Sequence, residues 1–280
     1  MKKQYFVLGH PITHTISPFI NNRLFQLAGV NADYGICDIS PNDLHNHVEE
    51  LNKAYGYNIT IPFKQTIIKY LKSVDEKAKL HGSVNTVLNN NGVSKGFTTD
   101  SNGFLKAMEF AKIPITGNIV ILGCGGVART IAFKIADKPC SITIAVRNSS
   151  LIKASKLLQD IKNYSPNTNI KMCLIGELRG QIDLLINATP VGMFPNIDNM
   201  PVSEKVISNC SNVFDTIYNP INTRLIKIAK ANGATISNGL FMLIYQAVYA
   251  HKIWNNSEYC NEDILQLYED SKKEIKKIFY

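Results

Sequence analysis

Three short stretches of the first hundred residues are unusually polar for segments that adjoin apolar runs. They are His14-Thr15-Ile16-Ser17-Pro18, Asn58-Ile59-Thr60-Ile61-Pro62-Phe63-Lys64, and Asn85-Thr86 together with Thr99-Asp100. In the second, a spacing of two puts Asn58 and Thr60 on one face of an extended strand, and Pro62 ends that strand just before Lys64. A row of amide and hydroxyl groups ending in an amine suits a pocket for a small polyhydroxylated acid.

A second constellation is glycine-rich. The run Ile119-Val120-Ile121-Leu122-Gly123-Cys124-Gly125-Gly126-Val127-Ala128-Arg129 reads as strand, tight turn and helix. Gly123, Gly125 and Ala128 take the positions of the G-x-G-x-x-G/A fingerprint, with Gly126 and Val127 opening the helix. Gly123 permits the turn, Gly125 lets a pyrophosphate approach the backbone, and Ala128 lets helix and sheet pack closely. Free N–H groups and the positive helix end then face the phosphates, so a dinucleotide is expected. An acid at the end of the next strand would select NAD. That strand, residues 142–146, runs instead into Arg147-Asn148-Ser149-Ser150. Arg147 can pair with a 2′-phosphate, with Arg129 on the first helix to assist, which favours NADP; the plainer reading is an exposed arginine at a strand end.

The elements that must carry these groups alternate along the chain. Strand-like runs at residues 5–8, 34–39 and 57–61 alternate with helix-like runs at 18–28 and 43–54, and residues 84–88 and 93–97 flank Asn89-Asn90-Asn91-Gly92 as a hairpin. From residue 118 a second series follows, with strands expected at 119–122, 141–146, 170–174, 184–187, 213–215 and 234–236. Such a series suits a doubly wound nucleotide-binding sheet. Helices are expected at 240–254 and 261–279. The fold class is therefore α/β: an amino-terminal α/β substrate domain (residues 1–100, completed by the helices of 240–280) and a Rossmann-type doubly wound NADP-binding domain (101–239).

A chain of 280 residues is long enough for two such domains. Its hydrophobic fraction of 45% against 19% charged residues leaves little room for extended disorder. The apolar run after Lys2 and Lys3 is too short for a signal peptide or a membrane span, so residues 5–8 read as a first strand. Six cysteines lie far apart, with no C-x-x-C pair and no histidine at ligand spacing. They read as thiols in a reducing cytoplasm, and no metal is expected. The net charge of +8 comes largely from scattered lysines, and those of the carboxy-terminal tail are interleaved with acids. It reads as solvated helix face, not as a nucleic-acid surface. The partner expected is a small-molecule substrate, with no nucleic acid and no membrane, for a monomer or homodimer.

Seven stretches in register resemble the motifs of shikimate dehydrogenases: residues 9–14, 58–64, 83–87, 123–129, 187–193, 215–220 and 239–246. The resemblance covers nearly the whole chain. It implies NADPH-dependent reduction of 3-dehydroshikimate to shikimate, with Lys64 and Asp100 as the catalytic pair. It also implies that Ser17, Asn58, Thr60, Asn85, Tyr218 and Gln246 hold the substrate, together with Thr15, Lys64 and Asp100. Asn187, Thr189 and Gly239 would join the glycine loop and Arg147 at the cofactor, with Met193 and Met242 near the nicotinamide.

Oxidising a secondary alcohol needs a destination for its proton. Lys64 would act either as base or as a cationic donor to the developing alkoxide. Three departures stand out, one being that Thr98-Thr99-Asp100 stands where the family has a longer Asn-Thr-Asp run. The family has Ser where Thr15 stands, and the added methyl crowds a carboxylate or tilts selection toward a related acid such as quinate. Its Asn-Arg-Thr is replaced by Val146-Arg147-Asn148, which keeps the arginine and loses the asparagine. Rival readings are a quinate/shikimate dehydrogenase using NAD or NADP, and a non-catalytic NADP-binding regulator.

Overall fold

The computed structural model describes residues 2–12, 15–90 and 92–279. Two compact units divide the chain: Met1–Gly103 with Leu243–Tyr280, and Phe104–Met242.

The first unit contains β1 (Lys3–Gly9), α1 (Ser17–Leu27), β2 (Ala32–Asp38), α2 (Val48–Leu51), β3 (Gly56–Ile59), β4 (Ser73–Val74), α3 (Glu76–His81), β5 (Thr86–Asn90) and β6 (Val93–Phe97), then the start of α4 (Asp100–Ala111). Its strands form a mixed sheet of order β2-β1-β3-β5-β6-β4. β1 pairs in parallel with both β2 and β3, and β5 runs antiparallel to β3 and β6. Both faces of the central strands are buried: Leu8, Tyr57, Ile59 and Phe63 fill a core on one side, and Tyr5, Val7, Phe25 and Trp254 fill another. The expected helix over 43–54 is instead a 3-10 turn, Leu44–His47, followed by the four-residue α2. Leu44, Leu51 and Ala54 of that stretch are buried, the first two carried to the core by these two short pieces. β4 is two residues long, too short for any periodic signal.

The second unit holds the rest of α4, then β7 (Gly117–Leu122), α5 (Gly126–Ile135), β8 (Cys140–Val146), α6 (Leu151–Tyr164), β9 (Asn169–Leu174), β10 (Ile182–Asn187), α7 (Glu204–Ile207), β11 (Cys210–Asp215), α8 (Arg224–Ala231) and β12 (Thr235–Ser237). α9 (Gly239–Asn255) begins here, and α10 (Asn261–Phe279) belongs to the first unit. All six strands are parallel, in the order β12-β11-β10-β7-β8-β9. Counted within the unit this is 3-2-1-4-5-6 read from β9, the doubly wound dinucleotide-binding order. Val120, Leu122, Leu185, Val213 and Ile226 are among its core residues. Among the described residues no helix is long and apolar enough to cross a membrane.

Gly239 shows how tightly the end of this sheet is packed. Its amide donates to the Ile217 carbonyl at 3.0 Å. A Cβ built on it would collide with the Thr216 carbonyl oxygen, which belongs to the backbone and has little room to move. Gly239→Ala is expected to lose about 1–3 kcal/mol of unfolding free energy, or more if the loop must shift. Urea unfolding measures this, and an unchanged midpoint would contradict the close approach.

Candidate active site

In an open α/β sheet, ligands bind beyond the carboxyl ends of the strands, where the strand order reverses. In the first unit that point lies between β1 and β3. The Thr60 amide donates to the Leu8 carbonyl at 2.8 Å and the His10 amide to Ile61 at 3.0 Å, so the loops leaving the two strands run side by side. After β3 the chain turns at once, with Phe63 N–H donating to the Thr60 carbonyl at 2.9 Å. Phe63 is driven into the core, and this anchors the next residue, Lys64, at the sheet edge.

Lys64 Nζ donates to Asp100 Oδ2 at 2.6 Å, with side-chain exposures of 12% and 5%. An ion pair this sheltered is stable only if its remaining hydrogen-bonding capacity is met. On the carboxylate side Asn85 meets it. Asn85 Nδ2 lies 2.9 Å from Asp100 Oδ1, 2.9 Å from Thr99 Oγ1 and 3.1 Å from Gln246 Oε1, so two amide hydrogens serve three acceptors. Asn85 Oδ1 accepts from the Thr99 amide at 2.7 Å. Asp100 lies in the first turn of α4, where the helix dipole favours a negative charge. Gln246, on α9, donates in turn to the Leu243 carbonyl at 2.9 Å.

The other expected substrate residues in this unit have distinct settings. Thr15 and Ser17 form a hydroxyl pair at the start of α1, with Thr15 Oγ1 donating to Ser17 Oγ at 3.0 Å and accepting from the Ser17 amide at 3.1 Å. Thr60 is half-buried at the end of β3. Asn58 is buried and fully engaged: its carbonyl accepts from Tyr34 Oη at 2.7 Å, and its amide donates to the Asn85 carbonyl and to Thr86 Oγ1, both at 3.1 Å. Burial pushes the Tyr34 phenol well above its ordinary range, so it stays a donor. Thr13 and His14 of the first polar stretch, and Asn91 of the expected hairpin turn, lie outside the described residues.

Sequence reading had no role for Tyr34 or for the pair His10 and Asp38. His10 Nδ1 lies 2.7 Å from Asp38 Oδ1, and the Ile12 amide donates to Oδ2 at 3.2 Å. The His10 hydrogen bond, then that of Ile12, hold the Asp38 carboxyl below its usual range. This ties the loop after β1 to the end of β2. Separations of 24 and 28 residues leave no local signal for either pair.

In the second unit the strand order reverses between β7 and β10, with the glycine loop at one strand end and Asn187 at the other. Gly123 has φ +98°, and a Cβ there would meet Thr189 Cγ2 at 3.0 Å and the Ala188 carbonyl oxygen at 3.2 Å. Only glycine suits that turn. A Cβ on Gly125 would meet no protein atom within 4 Å, while Gly125 caps α5 without any side-chain cap. Approachable backbone and uncapped helix N–H groups fit a pyrophosphate, with Gly126 and Val127 in the first turn and Ala128 fully buried. Arg147 stands exposed at the end of β8, where a 2′-phosphate would be read. Arg129 is committed elsewhere, to Asp160 at 2.6 Å and over the Phe133 ring. Thr189 is half-buried, Met193 40% exposed and Met242 buried; Tyr218 is half-buried in the loop after β11. Among the described residues no cluster of His, Cys, Asp and Glu could hold a metal ion.

Asp215 organises these loops. Its Oδ1 accepts from Asn187 Nδ2 at 3.0 Å and from the Ile217 amide at 3.1 Å, and its Oδ2 from Thr223 Oγ1 at 2.7 Å. Asn187 Oδ1 then accepts from the Thr189 hydroxyl at 2.7 Å and its amide at 3.1 Å. Complete burial pushes the Asp215 carboxyl up to about 6, against the opposing pull of its three hydrogen bonds.

A parallel sheet of doubly wound dinucleotide-binding order in one unit and a sheltered lysine–carboxylate pair at the switch point of the other define an α/β protein with a nucleotide-binding topology and a candidate acid–base pair. Residues 7–87 match the family model of the shikimate dehydrogenase substrate binding domain. A shikimate dehydrogenase (NADP(+)) of Caldanaerobacter subterraneus subsp. tengcongensis is 37% identical over 94% of this chain and 95% of its own. That of Nitrosopumilus maritimus is 38% identical over 92% and 95%. The crystal structure of shikimate 5-dehydrogenase from Thermus thermophilus, in complex with NADP(H) and shikimate, superposes with a TM-score of 0.84 at 27% identity, covering 96% of this chain and 99% of that one. The chain belongs to the shikimate dehydrogenase family.

The raised Asp215 sets a sign for stability against pH. Folding favours its protonated form, so its contribution is fully present below the ordinary carboxylate value of 3.8 and is lost as pH rises through about 6. The loss is about 3 kcal/mol. Asp215→Asn removes this titration. The unfolding free energy of the wild type minus that of the variant is therefore expected to fall by about 3 kcal/mol between about pH 3 and pH 7; a flat difference would contradict the assignment.

Proposed function

We propose that this chain is an NADP-dependent shikimate dehydrogenase, which reversibly reduces 3-dehydroshikimate to shikimate in aromatic amino acid biosynthesis. The observation that carries the reading is the 2.6 Å contact between Lys64 and Asp100, with Asn85 bonded to the carboxylate. The relatives' names and the doubly wound sheet support the cofactor. A cytoplasmic location fits six cysteines that all stand as free thiols.

The residues suited to the cofactor are the backbone N–H groups of Gly125, Gly126 and Val127 for the pyrophosphate and Arg147 for the 2′-phosphate. Asn187 and Thr189 shape the facing loop, and Met193, Gly239 and Met242 serve the nicotinamide end. The chemistry NADPH supplies when bound is hydride donation to the carbonyl carbon.

Lys64 handles the proton. With one ammonium hydrogen on Asp100, two remain for a substrate oxygen. As the ketone carbon is reduced, the N–H bond breaks and an O–H bond forms on the former carbonyl oxygen. Lys64 is left as a neutral amine, which solvent reprotonates; in the oxidising direction it takes the hydroxyl proton back. Asp100 holds the amine in place and offsets its charge. The hydroxyls of Thr15 and Ser17 suit the substrate carboxylate, while Thr60, Asn85 and Gln246 suit its ring hydroxyls. Asn58 acts through Thr86 and the Asn85 carbonyl, keeping Asn85 oriented.

Absorbance of the reduced cofactor tests this with shikimate or quinate, each offered NADP or NAD. The highest kcat/KM is expected for shikimate with NADP, and Lys64→Ala is expected to lower that kcat by about 10²-fold or more with a smaller change in KM. Activity confined to quinate with NAD, or near wild-type turnover in the variant, would overturn the reading.

A further inference from the structure

Two completely buried polar side chains of the first unit, Asn21 on α1 and His251 on α9, touch neither Lys64 nor Asp100, yet both lie within two helical turns of residues assigned to the substrate. Asn21 Nδ2 donates to the Ser17 carbonyl at 2.9 Å, one turn back along α1. Its Oδ1 lies 3.1 Å from His251 Nε2, and His251 Nδ1 lies 2.8 Å from the Tyr259 hydroxyl, which also reaches the Leu24 carbonyl at 3.2 Å. The amide oxygen of Asn21 can only accept, so Nε2 carries the imidazole hydrogen and Nδ1 accepts from Tyr259. The one Tyr259 hydroxyl hydrogen goes to Nδ1, at the shorter distance, so the chain runs Ser17 carbonyl, Asn21, His251, Tyr259. The Phe25 ring packs on the imidazole at a centroid distance of 4.2 Å, so the contact also has a shape.

Burial holds the His251 imidazole down to about 3, so this link keeps one protonation state across the working pH range. It is a fixed brace and not a switch. Gln246, which meets Asn85, lies five residues before His251 on the same helix. A polar bond in an apolar core is worth little net stability against an apolar pair of the same shape, but it allows one helix register only.

We infer that Asn21 and His251 are positioning residues that set Ser17 at a fixed distance from Gln246 and thereby shape the substrate-carboxylate end of the site. This rests on the reading of Ser17 and Gln246 as substrate-binding residues. Truncating the brace shifts one side of the pocket against the other without touching the Lys64–Asp100 pair, so the effect falls on substrate affinity.

The test compares His251→Phe, His251→Gln and the double variant Asn21→Leu/His251→Phe in full-length enzyme, with steady-state kinetics and thermal unfolding. His251→Phe is expected to raise the shikimate KM about tenfold with kcat and the NADP KM within about twofold, the scale of a small misplacement. Gln can reproduce the Nε2 donor, so His251→Gln should recover most of the KM. The double variant leaves no buried group unpaired, so its Tm should return toward wild type while KM stays raised. It carries the test alone if His251→Phe does not fold. A KM that returns with the Tm in the double variant, or that never rises, overturns the proposal. Ser17→Ala and Gln246→Ala serve as controls: if neither raises the shikimate KM, the underlying reading of those residues fails, whatever the brace variants do.

Discussion

A lysine and an aspartate held 2.6 Å apart, both largely out of water, form the constraint on which the rest of this structure depends. Removing two charges from solvent costs several kcal/mol per ion, and attraction alone rarely offsets it. The cost is met locally. Asn85 and the first turn of α4 engage the carboxylate, and Asn85 is fixed by Thr99, Thr86 and Gln246. Behind them Asn58 is pinned by the Tyr34 phenol. Polar groups thus hold one another from the pair back toward the apolar core.

The backbone sets where this happens. Parallel pairing of β1 with β2 and β3 brings the loops after β1 and β3 to the same sheet edge, and the turn anchored by Phe63 aims Lys64 there. In the second unit the same rule acts on β7 and β10. It places the glycine loop against the Asn187–Thr189 turn, whose shape Asp215 holds from the end of β11. A single topological principle thus accounts for a site in each unit.

Much of this was legible in the chain itself, and the reasons are local. Gly123 to Ala128 is readable because backbone sterics demand those residues within six positions. Strands β7 and β10 carry short continuous apolar runs, and β5 and β6 flank a turn-rich sequence. The stretch around Asn58 announced itself by alternation, although the structure spends the Asn58 amide on Tyr34, Asn85 and Thr86. What escaped has no local signature. Asp38 with His10, Asp215 with Asn187, and His251 with Asn21 are separated by 28, 28 and 230 residues, and nothing but the completed fold brings them together. The 43–54 segment, expected as one helix, instead carries its buried Leu44 and Leu51 on a 3-10 turn and a four-residue helix, with buried Ala54 beyond them.

The most direct measurement of the central claim is a double-mutant cycle on turnover with shikimate and NADP, using Lys64→Ala, Asp100→Asn and the two combined. Groups that act as one unit are not additive. The combined variant should be about as slow as the slower single variant. If its loss instead equals the product of the two separate losses, the lysine and the aspartate act independently and the account of a shared proton-handling pair is wrong.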